Sequence, residues 1–168
     1  KVILPSLQIS DSDTKIKFLV GFKQLDKLRA FALYYEKNQK IPHDINENGS
    51  SEGFELLNDI LAKKFVSSSF PHLIHLIENH GWYAPLRRLN RPFQDKDISI
   101  GSSILLFEEL RVLRIPLGTP KSWETLKGDE TPWSDPNTLL KEEIRTWSIL
   151  YFMSKLAMKK NYILELRG

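Results

Sequence analysis

The 168-residue chain contains no cysteine, which removes disulfides, thiolate nucleophiles, zinc fingers and iron–sulfur clusters from consideration. It has only eight glycines, so there are few places for phosphate-cradling loops or nucleophile elbows. Neither a Walker pattern nor a G-x-S-x-G occurs. Long hydrophobic runs are missing as well, the longest falling far short of a membrane span. A strong charge of either sign is also absent, because 24 Lys and Arg against 21 Asp and Glu leave a formal net charge of +3. Any nucleic-acid reading must therefore rest on a local patch rather than a global field. No internal repeat, heptad array or low-complexity tract is present.

What remains is an ordinary globular composition, 41% hydrophobic and 27% charged, in a chain long enough to bury a real core. Residues 1–168 read as a single interaction domain. The first residue is Lys1 rather than methionine, so the expectation is a domain excised from a larger intracellular protein, nuclear or cytoplasmic. Asn48-Gly49-Ser50 fits a glycosylation sequon, but no export signal accompanies it.

Periodicity points to helices. Lys1 to Ser10 reads as extended, and Asp11 to Thr14 supplies helix-capping oxygens. Apolar residues Phe18, Phe22, Leu25, Leu28, Ala32 and Tyr35 then predict a helix over Lys15 to Lys37. After a polar loop from Ile41 to Ser51, a second helix carries Phe54, Leu57, Leu61 and Phe65 on one stripe. A third starts near Pro71 and ends at Gly81, and a fourth spans Ile98 to Arg114. A short helix from Thr119 to Gly128 and an acidic loop from Asp129 to Asp135 precede a long helix to about Lys160. Tyr162 to Arg167 reads as a last strand pairing with the N-terminal segment. The expected fold is mostly α: a compact bundle of five to seven helices with a small two-stranded element from the termini.

Few residues suggest chemistry. His72 and His75, three apart with Glu78 and His80 nearby, have the spacing of metal ligands. Their apolar neighbours Leu73, Ile74 and Ile77 place both histidines at the edge of a buried face or in solvent, and no further ligands converge. The pairs Glu108-Glu109 and Glu142-Glu143 read as solvated helix faces, since adjacent residues do not face each other on a helix. Trp147 reads as core, whereas Trp82, Trp123 and Trp133 lie near turns and either plug the core or anchor a partner. No catalytic residue, metal or cofactor is assigned, and an enzyme with an unrecognised site is the third reading.

One segment stands apart. His80 to Phe93 interleaves Arg87, Arg88 and Arg91 with Trp82, Tyr83 and Phe93, and no acid falls between Glu78 and Asp95. Guanidinium forks beside aromatic planes suit phosphate, carboxylate or a partner's aromatic surface. A short helix from Pro85 would let the three arginines project together, with Lys63, Lys64, Arg111 and Arg114 extending the basic patch. The leading expectation is a non-catalytic protein-interaction domain in a nucleic-acid- or chromatin-associated assembly. Its protein partner would bind through Trp82, Tyr83, Arg87, Arg88 and Arg91. Direct DNA or RNA binding by the same patch is the runner-up. The bland alternative pairs the arginines internally with the acidic 129–135 loop or the fourth-helix glutamates.

Overall fold

Alternation rather than helical periodicity governs where the described chain begins. The computed structural model describes residues 15–46, 48–62, 68–75, 80–95, 98–119 and 139–167. Lys15–Leu19, in which Lys15 and Lys17 alternate with Ile16 and Phe18, forms strand β1. Gly21 stays extended, and its carbonyl accepts the amides of Gln24 and Leu25, opening helix α1 at Phe22–Asn38. Helices α2 (Ser51–Ala62) and α3 (Pro71–Ile74) follow, then strands β2 (His80–Ala84), β3 (Phe93–Asp95) and β4 (Ile98–Ser102). Helices α4 (Ser103–Leu113) and α5 (Lys141–Lys160) and strand β5 (Ile163–Arg167) complete the described elements.

The strands form one mixed sheet of five, in the order β1-β5-β2-β4-β3. β5 runs parallel to β1 and antiparallel to β2, β2 runs parallel to β4, and β3 closes the edge antiparallel to β4. The architecture is α/β, and this overturns the expected helical bundle with a two-stranded element. The physical reason is abutment. β4 passes into α4 without an intervening residue, and two residues separate β1 from α1. The helical stripes of α1 and α4 therefore extended in the sequence over neighbouring strand residues. The predicted third helix likewise gives way to β2 by His80. The last strand does form, but beside residues 15–19. Its expected partner, 1–10, lies outside the described residues, as do the short helix beyond Thr119, the 129–135 loop, Trp123 and Trp133.

The helices cover one face of the sheet. α4 and α5 contact the strands, α1 packs on α5, and α2 packs on α1. Tyr83, Leu164 and Leu166 point into this layer and are buried with Leu106, Leu110, Trp147, Leu150 and Tyr151. Trp147 is core, as its sequence position suggested, and its Nε1–H donates to the Leu110 carbonyl at 2.7 Å, tying α5 to α4. Residues of opposite parity on the strands, Trp82, Ile100 and Glu165, are half-buried, and Phe93 is exposed on the edge. Among the described residues, no helix is long and apolar enough to cross a membrane.

The approach of α2 to α1 depends on a missing side chain. A Cβ on Gly53 would lie 2.6 Å from the Ala30 carbonyl oxygen and 3.2 Å from the Ala30 Cβ. Intrinsic propensity favours alanine over glycine in a helix by about 1 kcal/mol, but backbone on the neighbouring helix cannot yield. Gly53→Ala is expected to destabilise the protein by about 1–3 kcal/mol, as overpacking does. Urea unfolding of the variant checks this, and a stabilised variant would show that the helices separate freely.

Candidate functional site

Strand alternation disperses the Arg/aromatic segment. Tyr83 turns inward and is fully buried, its hydroxyl donating to the His72 carbonyl at 3.1 Å. Trp82, its neighbour on β2, points to the opposite face and is half-buried. Past Pro85 there is a turn instead of the predicted short helix, and it places Arg87, Arg88 and Arg91 in solvent. Arg87 and Arg88 make no hydrogen bond or ion pair with another described residue. Arg111 is already engaged by Glu108 at 3.0 Å, so it does not extend a free basic surface. Lys63, Lys64 and the 129–135 loop lie outside the described residues. The five expected partner-binding residues thus do not form one surface: Trp82 and Tyr83 face opposite ways, and only the arginines share the turn.

Topology explains this turn. The chain leaves β2, skips one position to make the edge strand β3, and returns between them as β4. Residues 85–92 must therefore cross the C-terminal end of β4. Ser102 at that end holds the crossing, its hydroxyl donating to the Leu86 carbonyl at 2.7 Å and capping α4 by accepting the Leu105 amide at 3.2 Å. The last β3–β4 pair is Phe93 with Ile100, so the Ser102 amide has no strand partner there. It donates instead to His72 Nδ1 at 3.0 Å.

His72 and His75 are both 1% exposed, rather than at the edge or in solvent as their apolar neighbours suggested. His75 Nδ1 lies 2.7 Å from the His72 carbonyl, which can only accept, so Nδ1 carries the proton. Its ring packs edge-on against Tyr83 at 5.2 Å, and β4 leaves it room only because residue 101 is glycine, where a Cβ would fall 2.6 Å from its Cε1. From α4, the Glu109 carboxylate accepts the amides of His72 and Leu73 at 2.9 and 2.8 Å, satisfying the start of α3. Arg29 on α1 is 3% exposed, donating to the Leu73 carbonyl and to Asp26, each at 3.0 Å. The adjacent glutamates therefore divide, with Glu108 in solvent and Glu109 buried, and the same split leaves Glu142 half-exposed and Glu143 buried. Glu109 shares the stripe of Leu106, Leu110 and Leu113, a spacing that could have located it.

His72, His75, Arg29, Glu109 and Glu143 are all buried in the interior of the fold. Among the described residues, no three His, Asp or Glu side chains converge as metal ligands would. Burial holds His72 down to about 4, the backbone at Asn90 and Leu89 partly offsetting it, and holds His75 down to about 3. Burial pushes Glu109 up to about 8 against its two amide hydrogen bonds, and raises Glu143.

The charge that does face solvent in an ordered row is acidic. Glu52, Glu55 and Asp59 are all exposed on α2 at i, i+3 and i+7, and the helix carries no Lys or Arg. At about 1.5 Å rise per residue they span about 10 Å of one face. Asp44 secures the N-terminal end of this helix, its carboxylate accepting the hydroxyls of Ser50 and Ser51 at 2.8 and 2.6 Å and the Glu52 amide at 3.2 Å. Burial would raise its carboxyl, but hydrogen bonds from Ser51, Ser50 and Glu52 outweigh that and hold it at about 2. The sequence signal was there to read: from Ile41 to Ala62 the chain has five acids and no Lys or Arg.

The buried groups set a pH optimum of stability. His72 and His75 are depressed from 6.5, so their contribution is complete above pH 6.5 and is lost as pH falls toward their folded values. Glu109 is raised from 4.5, so its contribution is complete below pH 4.5 and is lost as pH rises through about 8. Glu143 acts in the same direction as Glu109. The opposing slopes place maximal stability between about pH 6 and 7. Urea midpoints measured from pH 4.5 to 9 check this, and a midpoint still rising at pH 9 would contradict it.

A family model described as "Putative DNA-mimic protein" matches residues 5–166. No curated protein and no solved structure matches the chain. The family match overturns the expected function, an interaction domain working through an Arg/aromatic basic patch. It equally overturns the runner-up, direct DNA or RNA binding by that patch, because a mimic of DNA presents anionic groups where nucleic acid presents phosphates. With the match covering nearly all of its length, the chain belongs to this DNA-mimic family.

Proposed function

We propose that this protein binds a DNA-binding protein in place of DNA, through the acidic face of α2. The observation that carries the reading is the row Glu52, Glu55 and Asp59 on a helix with no cation, continued by Asp44 at its N-terminal end. Each strand of duplex DNA offers one negative charge per about 3.4 Å of axis. The helix offers one per about 4.5–6 Å along its own axis, which is sparser but of the same order. A cleft built to grip one phosphate strand would find carboxylates along a comparable line. Three carboxylates and no Lys or Arg give α2 a formal −3 in a chain of net +3, so a basic partner is drawn to this face by its local charge.

The test uses the whole chain as bait in cell extract treated with nuclease. The expected result is capture of a DNA-binding protein, its release by added duplex DNA, and loss of capture in the variant Glu52→Lys, Glu55→Lys, Asp59→Lys. Capture should weaken as salt rises, because the contacts are exposed charges. Capture that survives both the charge reversal and competing DNA would overturn the reading, as would direct binding of DNA by the chain.

A further inference from the structure

We infer that His72 is an acid-operated latch: a proton on its Nδ1 breaks the bond from the Ser102 amide and frees the 85–92 turn from the end of β4. The geometry leaves no alternative role for that nitrogen. An amide N–H can only donate, so Nδ1 must accept, and a protonated Nδ1 would set donor against donor across 3.0 Å. Ser102 is the residue that also clamps the turn at Leu86 and caps α4. The backbone of Leu89 and Asn90 lies beside the same ring. One proton therefore acts on the strand end, the turn and the helix start together. The inference is independent of the partner proposed above.

The other ionisable groups around His72 keep their charge in mildly acidic solution. From α3, His75 is held down to about 3 by burial, so it stays neutral. From β2, burial raises Tyr83, which also stays neutral. From α4, Glu109 is raised to about 8 and is uncharged well below that. From α1, Arg29 remains a cation fixed to the Leu73 carbonyl and Asp26. Opening returns His72 to its ordinary value of 6.5 from about 4, so acid favours the open form. Between pH 7.5 and pH 5 the open population should rise about 30-fold.

Amide hydrogen exchange on the native chain, corrected for the intrinsic pH dependence of exchange, reads this directly. Protection of the Ser102 amide should fall about 30-fold from pH 7.5 to pH 5, while α5 amides such as Leu150 and Tyr151 keep theirs. In His72→Asn, whose Oδ1 can accept the same bond without titrating, Ser102 protection should not change with pH. Constant Ser102 protection in the native chain would overturn the latch. So would an equal fall in His72→Asn, or a parallel fall in α5, which would mean global unfolding. Should His72→Asn fail to fold, the imidazole nitrogen resonances of His72 in the native chain decide. Protonation of Nδ1 must track the Ser102 amide shift, and separate midpoints would refute the inference.

Discussion

The carbonyl oxygen of His72 accepts two hydrogen bonds, from the Tyr83 hydroxyl and from His75 Nδ1, and the rest of the fold is arranged around that residue. Its amide donates to Glu109 and its ring accepts from Ser102. Through one residue α3 is joined to β2, α4 and β4. The need for it arises from the sheet order, in which β4 is inserted between β2 and β3. That order forces a crossing at the end of β4 and leaves a strand amide beyond the reach of β3. A helix of four residues cannot satisfy its own termini either. An unpaired buried amide costs about 1–3 kcal/mol, so a single side chain meeting both requirements removes a penalty the crossing would otherwise carry.

This solution places ionisable groups where apolar ones are usual, and their protonation becomes part of the structure. Each histidine must be neutral, because each uses one ring nitrogen in a role that a second proton would disturb or that burial opposes. Glu109 is held between the same burial and the two amides it accepts. Arg29 resists neutralisation most strongly, although burial lowers its affinity for the proton too, and its partner Asp26 reaches solvent. Groups displaced in opposite directions keep the cluster from favouring either extreme of pH.

The helices were largely legible in the sequence and the strands largely were not. α1, α2, α4 and α5 fall within the predicted segments because their apolar stripes are broad. β1, β2 and β4 are each five residues long and abut or interrupt helical patterns, so period two was absorbed into period 3.6. The interleaving of Arg87, Arg88 and Arg91 with Trp82 and Tyr83 was a true feature of the sequence, but its meaning depended on which way β2 turned Tyr83. That orientation is set by pairing with β5 and β4, elements distant in the chain. The acidic run from Asp44 to Asp59 was visible as composition. A charge run is ordinarily a solvated face, and nothing local tells a solvated face from a recognition face.

Net charge is a poor guide to such a face. Between exposed groups, charge is screened beyond about 8 Å at physiological ionic strength. A partner docked on α2 therefore responds to the few groups on that helix more than to the +3 of the whole chain. What determines the field it meets is the rotation of α2 about its axis. Leu57 is buried against α1, and Gly53 lets the two backbones approach, so the opposite side of the helix faces out. Residues 52, 55 and 59 occupy that side by helical geometry alone. The packing that buries the apolar stripe of α2 is thus the same constraint that aligns its carboxylates. A weakly basic protein can in this way present a local anionic line without becoming acidic overall.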